Sequence, residues 1–476
     1  MNIVDYPIGI PDHLPIIRKP NIRVELDKWD FDNSKFETIN FTNYVGGYQF
    51  AKTIRNPSSS ASIYILPQFA DAHILEIVDP MDVIKIYESN VLKFQGFVRK
   101  VGFKGSIDAD GKPQRMCTIA AFGFGAYLQM SKIGVNLAIF KKDTPVYTSG
   151  LKLAEDIQKA VDVGLTFRRM IELLTDSWFD YVKSLTSGEF QNKYISTYVN
   201  FLDGVSTEQT AGFPKELYLF LGDEVEITLW GIIQKLSEVP LNEFFFDEGP
   251  RDIYISGAKV NLNDPKTYLI GRPTPFDGSV VNRSMVQNRF TLMKEKIIPR
   301  NHLVSIDLNK SMEESYSVYI CAPGLFDYSD LELIASGFAS LDEARLNKYL
   351  YVPCKQDLYY IRKHGVTKTE IEQKKQAIED RQVETTATLR NWFENNDKYL
   401  SGQIAMMVPN DPTLDIRLGD KVKLEEIDGN FYAETVSHKW QYMKGLITEI
   451  GVTRGWDRNR PIQVKDRLFR KGKHVL

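Results

Sequence analysis

Hydrophobic and polar positions alternate with a period of two through the first and last parts of the chain, which predicts strands. IRVEL (22–26) alternates, SIYILPQF (62–69) reads as a strand broken by Pro67, and HILEIV (73–78) continues the β pattern. DVIKIYE (82–88), LKFQGFVRKVGF (92–103) and RMCTIAAFGFGAYL (115–128) follow. Near the C-terminus, residues 415–456 read as a meander with strands near 421–426, 431–440 and 446–454. Val422 and Leu424 alternate with Lys421 and Lys423, as in a strand with one buried face. Asp428–Gly429 and Lys444–Gly445 supply the turns.

The late meander echoes the early one. Asp82-Val83-Ile84-Lys85-Ile86 matches Asp420-Lys421-Val422-Lys423-Leu424 in character. After a short turn, Phe94-Gln95-Gly96 answers Phe431-Tyr432-Ala433, and a second turn leads to Cys117–Phe122 in one copy and Ile447–Val452 in the other. Identity is low, so chance likeness of two meanders competes with a repeated module. The shared tempo favours the repeat.

Between the copies the pattern changes. LKLAEDIQKAVDV (151–163), TFRRMIELLTDSWFDYVKSL (166–185) and EFQNKYISTYVNFLDGV (189–205) read as three helices. Met170, Leu173, Leu174, Trp178 and Tyr181 make one apolar face, expected in a helix–helix core. Thr228 is placed to cap the helix LWGIIQKLSEV, which Pro240 stops. NEFFFD and DIYISG are expected to pair across Glu248-Gly249-Pro250, and LVSIDLNKS (303–311) with ESYSVYICAP (314–323). RPTPFDGS (272–279) reads as a loop and LDEARLNKYLYV (341–352) as a short helix. Residues 367–401 form a polar helix or helix pair with a solvated face, and IAMMVP (404–409) leads into the final meander.

Composition narrows the class. With 476 residues, 43% hydrophobic and 12% aromatic, the chain has material for two to four folded domains. Its 59 basic and 62 acidic residues nearly cancel, which gives no whole-chain reason to expect nucleic-acid binding. Cys117, Cys321 and Cys354 are far apart and form no metal-binding spacing, so buried thiols in a reducing interior are expected. No signal peptide and no transmembrane run is read, so the chain is expected to fold in the cytosol.

Candidate chemistry is sparse. HExxH, GxSxG, a Walker A loop and a dinucleotide fingerprint are all missing from the sequence. Asp108-Ala109-Asp110-Gly111 opens like a calcium loop, but Ile119 stands where the bidentate acid belongs, so a hairpin tip is expected. Glu243, Asp247, Glu248 and Asp252 cluster without the spacing of a known motif, and His302 and His438 fall on or beside strands, where structural roles are expected. The expectation is a non-enzyme with no catalytic residue, cofactor or metal ligand. Only the end of the chain is charge-biased: from Arg454 it holds eight Lys/Arg against two Asp. Arg458, Arg460, Lys465, Arg467, Phe469, Arg470 and Lys471 make a sticky arm. An acidic protein partner suits it better than nucleic acid, because no aromatics are interleaved as a stacking platform.

LWGIIQKLSEVPLNEFFFDEGPRDIYI with RPTPFDG, and the closing IRLGDKVKLEE…FYAETVSHKWQ…LITEIGVTRGW, resemble baseplate hub proteins of contractile phage tails and tail-like particles such as R-type bacteriocins and injection systems. The resemblance spans 20–100 and 225–456 in pattern; the block 141–225 carries no family motif. It implies an α+β, β-rich fold with two tail-tube-like antiparallel β-barrel domains, a helical insertion and a smaller mixed α/β middle domain. The expected division is 1–140 for the first barrel, 141–225 for the insertion and 226–365 for the middle domain. Residues 366–456 make the polar helix and second barrel, and 457–476 the arm. It further implies a homotrimeric, pseudo-sixfold ring joining a hexameric tail tube to a trimeric central spike. Implied partners are the spike, a tube or tube-initiator protein, and baseplate wedge and tape-measure proteins. Nucleic acid would enter only as cargo in the lumen, without membrane insertion, in a particle assembled in the bacterial cytoplasm and released by lysis. The chain stops without the β-helical needle of fused hub–spike members, which makes the arm a candidate dock for a separate spike. Two alternatives remain at this point: a tail-associated peptidoglycan-cleaving enzyme, and a distal-tail adsorption protein of a non-contractile phage.

Overall fold

The structure is a computed structural model, and it describes residues 21–133, 193–199, 227–233, 242–323, 338–358 and 383–456, apart from short stretches within those ranges. The helices expected over 151–185, most of 367–401 and the arm 457–476 lie outside the described residues.

The chain opens with β1 (Ile22–Asp30), β2 (Lys35–Asn40), β3 (Val45–Thr53), β4 (Ser60–Ile65), β5 (Val83–Glu88), β6 (Val91–Ile107) and β7 (Pro113–Gly123). Next come β8 (Lys132–Ile133), β9 (Ile195–Val199), β10 (Ile227–Thr228), β11 (Asn242–Glu248), β12 (Arg251–Ile255), β13 (Ala258–Leu262), β14 (Thr267–Pro273), β15 (Val280–Val281) and β16 (Ser284–Met285). The last part holds β17 (Glu295–Ile298), β18 (Leu303–Asn309), β19 (Val318–Pro323), β20 (Phe338–Leu341) and β21 (Pro353–Leu358). It ends with β22 (Leu400–Met407), β23 (Lys421–Leu424), β24 (Asn430–Gln441) and β25 (Gly445–Trp456). A 13-stranded sheet runs β18-β22-β25-β24-β3-β4-β7-β6-β5-β1-β2, with β17 and β23 attached beside β24. The fold is β-rich and mostly antiparallel, as the alternation predicts. Inward positions such as Ile63, Ile86, Phe94 and Ile119 pack one core, and Ile404, Val422, Phe431 and Ile450 pack a second.

The two cores belong to two copies of one module. β3-β4-β7-β6-β5 and β18-β22-β25-β24-β23 follow the same strand order. A bulge between Val45 and Gly47 recurs between Leu303 and Ser305, and one between Val98 and Lys100 recurs between Ala433 and Thr435. A 3-10 turn precedes β3 (Thr42–Tyr44) and β18 (Arg300–His302) alike. The N–H groups of Val98 and Ala433 bond the carbonyls of Asp82 and Asp420, at 2.8 and 3.0 Å. Each aspartate also accepts, on its carboxylate, the N–H three residues earlier: Asp79 at 2.9 Å and Arg417 at 2.7 Å. Unrelated meanders would not share strand order, bulges and a capped turn, so the echo is a structural repeat.

The repeat corrects the alignment in detail. Phe431 stands opposite Val422, whereas Gly96 stands opposite Ile84 and Phe94 opposite Ile86. The aromatic match slips by two residues because β5 and β6 join through a tight Ser89-Asn90 turn, both at positive φ, while β23 ends at Leu424 and β24 begins only at Asn430. A slip of two keeps both rings on the core face. The third strand slips by one, with Cys117 matching Thr448. Lys421 is buried rather than solvent-facing, because β17 and Phe290 cover that side; its ammonium pairs with Glu295 at 2.8 Å.

Other expectations change with tertiary pairing. HILEIV contains a short helix, Ile74–Ile77, in which buried Ile74 and Val78 meet at helical spacing. Ile195–Val199, expected to be helical, is a strand parallel to β14, where Ile195, Thr197, Tyr198 and Val199 suit extended backbone. β11 does not pair with β12. It pairs with β14, setting Glu243 opposite Arg272, while β12 pairs with β13. β18 pairs with β22 instead of β19, because β18 fills the position that β3 holds beside β4. β19 pairs with β20 and β21. The helix Glu343–Tyr349 and the turn at Gly445 (φ 96°) follow the expectation; β6 and β7 pair antiparallel up to Ile107↔Pro113, while Asp108 and Ala109 of the expected hairpin tip lie outside the described residues. Thr228 Oγ1 accepts the Gly231 N–H at 3.1 Å, the expected cap.

Candidate assembly interface

The repeats meet at a strand that divides one edge between two partners. Residues 430–432 of β24 pair with β23, and then Glu434 bulges. Beyond the bulge, 435–441 pair with 53–47 of β3, from Thr435↔Thr53 to Gln441↔Gly47. The Ile54 N–H bonds the Glu434 carbonyl at 3.0 Å, so the ladder runs up to the bulge. Cross-strand neighbours fill the seam: His438 stacks on Phe50 with ring centroids 4.8 Å apart, and Trp440 on Tyr48 at 5.6 Å. Such pairs are the unit of sheet stabilisation, about 0.2–1 kcal/mol each.

Beneath the seam lies Glu88. Tyr48 Oη donates to it at 2.7 Å, and His438 Nδ1 sits 2.9 Å away. Burial opposes ionisation of Glu88, but His438 and Lys93 outweigh it and hold the carboxyl below its ordinary value. Burial beside Glu88 pushes the Tyr48 phenol well up. His438 thus has the structural role expected from its strand position.

A buried ionic network extends from the seam into the middle of the chain. Lys52, on an inward position of β3, lies 2.6 Å from Asp247 Oδ1 and also bonds Glu248. Arg251 bonds Asp247 and, through Nη2, the Leu418 carbonyl at 3.0 Å. Arg417 donates to the Glu248 carbonyl at 2.7 Å and to Asp415 at 3.0 Å, and Lys93 also bonds Asp415. Lys296 lies 2.6 Å from Asp420 Oδ2. Nearby, Arg272 donates to Glu243 at 2.6 Å and to the Gly419 carbonyl at 2.9 Å, and Tyr432 donates to Glu243. Burial resists charging Asp415, yet Arg417 and Lys93 hold it well below the carboxylate range. For Asp247, burial is likewise overcome by Lys52, Arg251 and Arg417. Glu248 goes the other way: burial, reinforced by the Asp247 charge, raises it despite Lys52.

The network explains the acidic cluster seen in the sequence. Glu243, Asp247 and Glu248 are buried against cations, and exposed Asp252 pairs with Lys259 at 2.8 Å. The cluster clamps the two repeats to the middle sheets. Its basic half was missed. The available signal was lysine on inward strand positions, as in Tyr48-x-Phe50-x-Lys52. Arg458, Arg460, Lys465, Arg467, Phe469, Arg470 and Lys471 lie outside the described residues. Cys117 and Cys321 are buried and Cys354 half-buried, and none of the three is in a disulfide. Among the described residues no group of three His, Cys, Asp or Glu is arranged for a metal, and no helix is long and apolar enough to cross a membrane.

No family model and no curated protein matches the chain. Among solved structures it is similar to the tail protein from Neisseria meningitidis MC58, at TM-score 0.43 and 10% identity, over 92% of this chain and 97% of that one. It is similar to the 43 kDa tail protein of prophage MuSo2 from Shewanella oneidensis, at TM-score 0.43 and 10% identity, over 91% and 97%. A third likeness is to the lidded Francisella PdpA–VgrG complex, at TM-score 0.39 and 10% identity, over 92% of this chain and 53% of that one.

Proposed function

We propose that the chain is a structural baseplate hub: a homotrimer whose two tube-like barrel modules per chain form a pseudo-sixfold ring between a tail tube and a trimeric spike. The observation that carries this reading is the repeat itself, five strands in one order with shared bulges and a shared capped turn. Two copies of a module in each of three chains present six similar faces, while the chains themselves obey a threefold axis, which is what matching a sixfold to a threefold partner requires. The ionic clamp holds the modules in a fixed mutual orientation, as a ring element needs. Glu243, Asp247 and Glu248, the buried members of the acidic cluster, are engaged by cations, which supports a non-enzymatic role. The arm at 457–476 is the proposed dock for the spike.

The test is the mass of the purified full chain by light scattering. Three times 54.6 kDa is expected, and a single-chain mass at high concentration would sink the reading. A cell-wall zymogram separates it from the peptidoglycan-cleaving alternative, with no clearing band expected. Removing 457–476 should leave the trimer and abolish spike co-purification; unchanged co-purification would remove the arm's role.

A further inference from the structure

In the C-terminal module the distal half of β24 is covered by β3 of the N-terminal module. Among the described residues the matching half of β6, residues 99–107, lies beyond the reach of β5 and pairs along one edge, with β7. The strand matching β3 is β18, which among the described residues pairs along one edge, with β22. Among the described residues these two edges are open, and they are the counterparts of the two edges already joined inside the chain. Both carry apolar side chains in solvent: Phe103 is 39% exposed and Ile107 75% on β6, Val304 is 53% exposed on β18, and Met312, three residues past the end of β18, is 72% exposed. Long open edges of this kind are normally paired or covered.

We propose that β6 of one copy of this chain pairs with β18 of the next, repeating between chains the junction that β24 and β3 make within one. The inference rests on the ring-forming hub reading and gives that ring its contact. Superposing the repeat through the shared bulges fixes the register. Val436↔Lys52 becomes Val101↔Lys310, identical residue types in both places. His438↔Phe50 becomes Phe103↔Leu308, an apolar pair where the internal junction stacks rings. Lys439↔Gln49 becomes Lys104↔Asp307, a pair of opposite charges directly across the seam. Ile54, which closes the internal ladder onto the Glu434 carbonyl, has Met312 as its counterpart and Arg99 as that carbonyl's counterpart. The exposed Met312 is thereby covered. Because the two surfaces differ, the contact is heterologous, and the ring reading requires it to close after three chains.

The test uses the full chain carrying Lys104→Cys and Asp307→Cys together, oxidised in solution. Directly opposed strand residues fall within disulfide reach. Covalent species of two and three chains are expected on a non-reducing gel. Each single variant, and Lys104→Cys combined with Leu308→Cys one position out of register, should migrate as one chain. A three-chain particle that fails to cross-link overturns the strand pairing and leaves the hub reading standing; a single-chain mass overturns both. As a second arm, Lys104→Asp or Asp307→Lys alone should weaken assembly at least tenfold, and the two together should restore it. Absence of rescue overturns the register.

Discussion

His438 Nδ1 lies 2.9 Å from a carboxylate oxygen of Glu88, joining residues 350 positions apart and fastening the C-terminal module onto the N-terminal one. The contact is buried and sits under the stacked Phe50 and Trp440 seam, so its charge state bears directly on the junction.

Acid should therefore loosen the modules. The Glu88 carboxyl is lowered from 4.5 in the folded protein, so the unfolded chain takes up its proton first as pH falls. Its contribution is present above about 4.5 and is lost as pH drops through the folded value. Asp415 acts in the same direction, with burial overcome by Arg417 and Lys93. So does Asp27, where burial is overcome by Lys85 and Tyr194. Glu248 is raised, so its own contribution falls as pH climbs through that range and partly offsets the rest. Urea unfolding should show a plateau between pH 6 and 8 and a falling midpoint below about 4.5. An unchanged midpoint at pH 3 would contradict the assignment.

Lys52→Met should cost about 3–5 kcal/mol, because it leaves the buried carboxylates short of a cation instead of removing the whole pair. Asp247 would retain Arg251, while Glu248 would lose its closest positive partner. Adding Glu248→Gln should recover part of the loss, since the uncompensated charge goes with it. The midpoint of urea unfolding reads both. A loss under about 1 kcal/mol for Lys52→Met would mean that the network is not what holds the modules.

The Asp82 and Asp420 echo was legible because it is local: an aspartate capping a turn, followed by an alternating strand, is written in consecutive residues. What pairs with what was not. β11 chose β14 over its neighbour β12, and β18 chose β22 over β19, through contacts across long separations that periodicity cannot encode. Ile195–Val199 lies in a stretch that mixes helical spacing with β-branched residues, and pairing with β14 decided it. Lys421 and Lys52 look solvent-facing by type and are buried because their partners come from distant segments. The carboxylate half of the clamp was visible as a cluster between 243 and 252, whereas its cations are scattered from Lys52 to Arg417.

Met81 and Gly419 occupy the same corner of the two modules, each at φ 74°, with their N–H groups bonded to Val98 and Ala433 at 2.8 Å. A left-handed conformation costs a non-glycine residue about 1–2 kcal/mol. The Met81 side chain is 52% exposed, so little packing is lost with it. Glycine returns part of the gain through the greater freedom of the unfolded chain, about 0.5–1 kcal/mol. Met81→Gly should thus stabilise the protein by about 0.5–1 kcal/mol. Gly419→Ala should do the opposite and more strongly, because its Cβ would collide with the Arg272 guanidinium that bonds the Gly419 carbonyl and Glu243. A loss of about 2 kcal/mol or more follows from strain together with a disturbed buried ion pair. Equal effects of the two substitutions in urea unfolding would mean that the corner is not the same structure twice. Opposite signs would follow from its being one turn, relieved by glycine in one copy and strained by methionine in the other.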